Sequence, residues 1–196
     1  MSQQIQRDIE TSNFVRQNIS VPVPSVVEVF IDENPIARSS WVSMKENSGA
    51  SLTTAWTAIT PTARDKTEAE LRNYLLEMHA IHPSQICIGS YSGGPAYDHR
   101  LDTRFSCGPF ASGSNFSDYL ITPMADRTKK KLVSYYRQQM ADDHGIASTY
   151  SDLYGDHIFV KHATWRINGI VDWEMAGWWS EYWGYTKSKF KSRYQS

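Results

Sequence analysis

The stretch DLYGDHIFVKHATWRINGIVDWE, Asp152 to Glu174, decides how this chain folds and what its acids can do. Two short apolar runs, HIFV and INGIV, are joined through HATWRIN, which reads as the tight end of a β-hairpin. One aspartate precedes the first run and another follows the second. Antiparallel pairing folds the chain back, so Asp152 and Asp172 emerge at the same rim. Two carboxylates at one rim can bind a hard divalent cation through oxygen. They can also divide labour, one accepting a proton while the other holds metal, as phosphoryl transfer requires.

Outward from the hairpin, the chain alternates helical and extended patterns. Residues 5–17 place Ile5, Ile9 and Phe14 or Val15 at helical spacing, which predicts a short helix. The β-branched run Val26–Ile31 and the segment SSWVSMKE predict two paired strands, with a turn at ENP. NSGAS breaks the pattern and reads as a linker. Residues 62–81 predict a helix with Leu71, Leu75, Met78 and Ile81 on one face, and residues 125–143 predict another with Leu132, Tyr136 and Met140 aligned. The Gly-, Ser- and Pro-rich run from Ser90 to Asn115 reads as a long surface loop. AGWWSEYWGYTKSKFKSRYQS after the hairpin reads as an aromatic helix with a basic end, Lys187, Lys189, Lys191 and Arg193, which could touch anions. The expectation is an α+β chain: a small sheet-containing piece over residues 1–46 and a mainly helical piece over 47–196 that carries the hairpin.

Composition narrows the function classes. The 196 residues carry a formal net charge of -1, with 40% hydrophobic and 21% charged residues. That balance points away from nucleic acids and acidic membrane surfaces. Cys87 and Cys107 sit in no CxxC or Cys/His ligand spacing. The N-terminal MSQQIQRDIE lacks the apolar core of a signal peptide, and no run approaches the roughly 18 apolar residues of a membrane span. A soluble cytoplasmic protein is the expectation.

The residues YSDLYGDHIFV and GIVDWEMAGWWSEYWGY together resemble the catalytic core of the aminoglycoside phosphotransferase-like small-molecule kinases, and in particular their fungal branch. FVRQNISVPVPSV, GGPAYDHR and FSCGPF extend the likeness upstream, over residues from about 5 to 190. The resemblance implies a protein kinase-like fold with an incomplete small lobe, and transfer of the γ-phosphoryl group of ATP to a hydroxyl of a small molecule, with Mg2+. It implies Asp152 as the aspartate that orients and deprotonates the acceptor hydroxyl, and Asp172 as the aspartate that chelates magnesium. Met44, Lys45 and Glu46 match the hinge that would hold the adenine. His157 falls where the family has a metal-binding asparagine. The aromatic segment after Asp172 matches the acceptor pocket, which makes Glu174 and Trp178 candidate substrate contacts, although Trp173, Trp178, Trp179 and Trp183 are also natural core residues.

The departures are specific. The family's HGD is Tyr150-Ser151-Asp152 here, so the histidine that braces the catalytic loop is replaced. Imidazole at 157 is a poor magnesium ligand but suits softer metals. The chain has no GxGxxG, and no lysine precedes the helix carrying Asp8 and Glu10, either of which matches the family's helix carboxylate. Two readings stand: a phosphotransferase, or a kinase-like protein with impaired catalysis that serves as a binding module or is a truncated gene product.

Overall fold

The computed structural model describes residues 3–31, 40–101, 106–125 and 130–192. Helix α1 (Gln3–Asn18) leads through the Pro22 and Pro24 segment into β1 (Val26–Ile31), which pairs antiparallel with β2 (Ser40–Met44). The turn predicted at ENP lies outside the described residues. β3 (Ala50–Ser51) and the single-turn α2 (Leu52–Ala55) precede α3 (Pro61–His79). The start of α3 is set by Thr60, whose hydroxyl accepts from the Ala63 N–H, and by Pro61 in the first turn, where no donor is needed. Then come α4 (Gly113–Ala125), α5 (Lys130–Gln138), β4 (Ile146–Thr149), β5 (Ile158–Val160), β6 (Ile167–Ile170), β7 (Gly177–Ser180) and α6 (Trp183–Ser192). The architecture is α+β, with three small antiparallel sheets ordered β1-β2, β3-β5-β6 and β4-β7. Among the described residues no helix is long and apolar enough to cross a membrane.

Two cores hold these elements. Leu71, Tyr74, Leu75 and Met78 of α3 pack with Val15 of α1 and with Ile158, Val160, Ile167, Ile170 and Trp173 around the hairpin. Phe116 of α4 meets Ile88, Trp179 and Trp183 in the second core. Trp179 and Trp183 stack with ring centroids 5.6 Å apart, and Phe116 meets Trp183 edge-on at 5.1 Å.

Several sequence expectations are corrected here. NSGAS is no free linker: Ala50 and Ser51 pair with Val160 and Phe159, adding a third strand to the hairpin. Gly49 makes this approach possible. Its φ of +133° is one that side-chain-bearing residues avoid, and a Cβ there would fall on the Val160 carbonyl. Gly49→Ala is therefore expected to destabilise the fold by roughly 2–5 kcal/mol, from backbone strain plus overlap. A urea midpoint unchanged by this substitution would show that β3 is not docked.

The segment GWWS is a strand rather than the start of a helix. All four residues are buried, and they pair with Ile146–Thr149, so the period-2 alternation that would reveal a strand is missing. Helix α4 begins inside the run read as a loop, and α5 ends at Gln138, before Met140. Leu132 and Tyr136 of α5 are exposed, so that face is not core. Lys187 does not belong to a solvated basic tail. It is buried in an ion pair with Asp98, and Lys189 lies over the Tyr185 ring. Lys191 and Arg193 have side chains outside the described residues.

Candidate active site

β4 delivers the chain into Tyr150, Ser151 and Asp152, and β6 delivers it into Val171 and Asp172. Ser151 and Asp172 both take positive φ, 65° and 62°, an unusual choice for residues with side chains. These two backbone kinks turn the acids toward each other across the open end of the β5–β6 hairpin. Asp152 is 3% exposed, and the Asp172 side chain is 40% exposed.

His157 stands between them. It closes the single 3-10 turn Gly155–His157 that enters β5. Its Nδ1 lies 3.4 Å from Asp152 Oδ2 and 3.2 Å from the Asp152 carbonyl, while its Nε2 lies 3.5 Å from Asp172 Oδ2. One ligand atom from each of the three residues can be chosen so that all lie within 4.8 Å of one another. Donors around a small divalent cation at about 2.1 Å sit about 3.0–3.4 Å apart when adjacent, and farther when opposed. One nitrogen and two carboxylate donors are thus close enough to gather round a divalent cation after small side-chain adjustments.

Tyr150 ties the two acid-bearing loops together. Its hydroxyl donates to the Val171 carbonyl, next to Asp172, and its ring packs on Trp173 at 4.6 Å between centroids. The residue that replaces the expected bracing histidine thus supplies a brace of its own. Burial above all, and then the negative charges of Asp172, Asp152 and Asp8, push its hydroxyl well above the ordinary tyrosine range, which keeps it a donor.

Helix α1 reaches the same place. Asp8 Oδ1 accepts from the Trp173 N–H at 2.7 Å, so Asp8 rather than Glu10 is the helix carboxylate that touches the hairpin exit. Burial raises the Asp8 carboxyl, the hydrogen bond from Trp173 opposes this, and the Asp172 charge adds to the rise. Glu174, 8% exposed, is pushed up to about 7 by burial first and by Asp172 second, with Gln4 and Arg7 pulling the other way.

That shift has a consequence for stability. Between about 4.5 and about 7 the native chain holds a proton on Glu174 that the unfolded chain has released, so stability falls as pH rises through this window. With partial screening by water, roughly 1–3 kcal/mol is involved. Glu174→Gln is expected to flatten the melting-temperature slope between these pH values and to raise stability above it. An identical slope in both proteins would show that Glu174 ionises normally.

The other expected site residues lie apart from the triad. Met44 pairs with Val26 at the end of β2, and the Lys45 N–H is taken by the Ser25 carbonyl at 2.8 Å. Lys45 and Glu46 border a hollow of about 410 Å3 with Lys161 and Asn168, beside the closed end of the hairpin rather than its acid-bearing end. Trp178 is buried beneath Tyr91 and Phe14, at 5.1 and 6.1 Å between ring centroids. Glu174 lines a cavity of about 240 Å3 under α1, with Arg7, Glu10, Phe14, Tyr91 and Tyr97 among its walls. Sequence reading missed this cavity. Its one visible signal is the spacing of Arg7, Glu10, Thr11 and Phe14 on a single helix face.

No protein-family model matches this chain, and no curated protein matches it in sequence. Solved structures do match in fold. A type VIII aminoglycoside-3'-phosphotransferase is 15% identical with a TM-score of 0.56, the match covering 90% of this chain and 60% of that one. An APH(4)-Ia aminoglycoside phosphotransferase in ternary complex with ADP and hygromycin B is 10% identical with a TM-score of 0.58, covering 95% and 67%. The GDP complex of aminoglycoside 2'-phosphotransferase-IIIa is 14% identical with a TM-score of 0.58, covering 93% and 59%. The fold is thus the kinase-like α+β fold of the aminoglycoside phosphotransferases, and this chain spans about 60% of the length of the first of these structures.

Proposed function

We propose that this chain carries the catalytic part of an aminoglycoside phosphotransferase-like small-molecule kinase of the fungal branch, cytoplasmic, using ATP and a divalent cation. The observation that carries the reading is the convergence of Asp152, His157 and Asp172 within 4.8 Å at the open end of one hairpin. In this reading residues 1–46 belong to the small lobe and 47–196 to the large one.

Asp152 is the base. Its loop is braced through Tyr150 and its side chain is almost wholly shielded, so an acceptor hydroxyl that reaches it meets a carboxylate on a fixed backbone. As the acceptor oxygen bonds to the γ-phosphorus and the bond to the β–γ bridging oxygen breaks, the hydroxyl proton passes to Asp152 and ADP leaves. Asp172 and His157 would hold the cation. The cation supplies charge neutralisation at the phosphates. Mg2+ is the expectation from the resemblance, and an imidazole ligand shifts preference toward first-row transition ions, of which Mn2+ stands nearest to Mg2+. Met44, Lys45 and Glu46 are proposed for the nucleotide base, and the segment bearing Glu174 and Trp178 for the acceptor side, the acceptor being a small hydroxylated molecule.

A second reading, a kinase-derived binding protein without transfer activity, is favoured by one observation: His157 already spans both acids, as an internal partner to each. Calorimetric titration with ATP and with GTP, each with Mg2+, with Mn2+ and without metal, separates the two. Metal-dependent saturable binding near or below about 1 mM supports the kinase reading. Binding with Mn2+ alone, lost in His157→Asn, supports His157 as a ligand. No binding by folded protein under any condition favours the second reading.

A further inference from the structure

We infer that the cavity between α1 and the segment Glu174–Ala176 is a binding site for a small zwitterion of net positive charge, of the size and chemistry of a free basic amino acid. The cavity measures about 240 Å3, below the roughly 300–1,000 Å3 of pockets for drug-sized ligands, which limits the occupant to something smaller. Neither Asp152, His157 nor Asp172 lines it, so it is separate from the triad, and Glu174 is the one wall it shares with the acceptor side of the kinase reading.

Its polar groups are complementary to a zwitterion. Glu174 Oε2 is shielded from solvent and has no hydrogen-bond partner among the described residues. Arg7 spends Nη1 on Ser106 Oγ at 2.8 Å, yet its Nε is shielded and also without a partner among the described residues. A buried acceptor and a buried donor left open at one cavity are rare in folded proteins, and each is satisfied by the opposite half of an ammonium-carboxylate ligand. Tyr97 holds the guanidinium in place, 4.6 Å from its ring centroid, so Arg7 is preset rather than mobile.

Charge and shape choose among zwitterions. Arg7 offers a cation, Glu174 an open buried acceptor and Glu10 an anion at the rim, so an occupant with one carboxylate, one ammonium and a cationic side chain matches all three walls. Glu10 is exposed at the rim, where it can meet a side-chain cation without desolvation. Phe14 and Tyr91, stacked at 4.1 Å, supply an apolar wall for a methylene stem. A ligand seated here spans α1 and the chain just after Asp172. Because Asp8 of the same helix bonds to the Trp173 N–H, occupancy would also hold the backbone beside Asp172.

The test is calorimetry and thermal shift on the full chain with L-arginine and L-lysine, against agmatine and cadaverine, which lack the carboxylate, and L-glutamate, which carries the wrong net charge. Saturable binding of L-arginine or L-lysine is expected near or below about 1 mM, at least about tenfold weaker for the three comparison compounds. Glu174→Gln and Arg7→Lys are each expected to weaken it about tenfold or more, the lysine keeping the charge while losing the Nε donor. Folding of each variant is checked by its melting curve. Failure of the folded wild type to bind either basic amino acid overturns the inference, as does agmatine binding as tightly as arginine, or equal affinity in wild type and Glu174→Gln. None of these outcomes bears on ATP binding, so the two readings fail separately.

Discussion

Asp152→Asn is expected to lower phosphoryl transfer roughly 10²- to 10⁴-fold, the usual contribution of a positioned general base, while leaving metal–nucleotide affinity within about threefold. Asp172→Asn is expected to remove that affinity. The asymmetry follows from the placement of the two acids. Asp152 is buried at the foot of the hairpin, where an incoming hydroxyl would be held, and its loop is braced through Tyr150 rather than through the carboxylate itself. Asparagine keeps the shape but cannot take the proton. Asp172 is the more exposed of the two, at the rim where a phosphate-bound cation would arrive, and half of the cluster's carboxylate charge is lost without it. Single-turnover transfer and calorimetry on the same two variants distinguish the roles. Equal metal–nucleotide binding by wild type and Asp172→Asn would sink the assignment of both.

The second large effect concerns stability. Lys187→Met is expected to cost about 3–5 kcal/mol, because it strands the Asp98 carboxylate in the core. Asp98 is fully enclosed and is held from three sides: by the Lys187 ammonium, by the Trp183 indole N–H at 3.0 Å and by the Arg100 N–H at 2.9 Å. Arg100 returns to the same knot by donating to the Lys187 carbonyl at 2.7 Å. Burial lowers the Lys187 pKa and the Asp98 charge resists that fall, as in a pair whose members depend on each other. Removing both charges with Lys187→Met/Asp98→Asn is expected to recover much of the loss, since the stranded charge and not the missing bridge is the main cost. Urea denaturation of the single and double variants measures this. A loss below about 1 kcal/mol in the single variant would mean the pair is open to water.

The hairpin was legible because its pattern is local. Apolar runs of four or five residues around a polar turn determine their own pairing, which sets His157 opposite Val171, and the left-handed turn at Asp172 then brings its carboxylate to 3.5 Å from the imidazole. The same holds for Val26–Ile31 against Ser40–Met44, and for the buried face of α3 with Leu71, Leu75 and Met78. What escaped reading is non-local. GWWS lacks alternation because both its faces are covered, and Trp and Tyr serve equally in a strand or an aromatic helix. Helix α4 opens with Gly113, Ser114 and Asn115, residues that ordinarily signal a loop, and carries Pro123. Lys187 looks solvated in any local window; only Asp98, far upstream, makes it a core residue. The cavity under α1 joins residues 7–14 to 90–97 and 174–176, which no periodicity announces.

The way the front of the chain is fastened has a mechanical outcome. Lys45 moves with the β1–β2 sheet, since its N–H is bonded to Ser25, whereas Ser48 is gripped by Asn168, and Ala50 and Ser51 are woven into the hairpin. Glu46 and Asn47 lie between these two fastenings, and the Asn47 amide is itself packed over Gly169. A second rivet, Asp8 to Trp173, sits at the opposite end of the hairpin. More fastenings lie between them: the Ile170 N–H donates to the Pro22 carbonyl at 2.8 Å, and the Ser20 N–H donates to the Glu77 carboxylate at 2.8 Å. A pull on α1 is therefore carried into both the hairpin and α3 rather than into a single hinge.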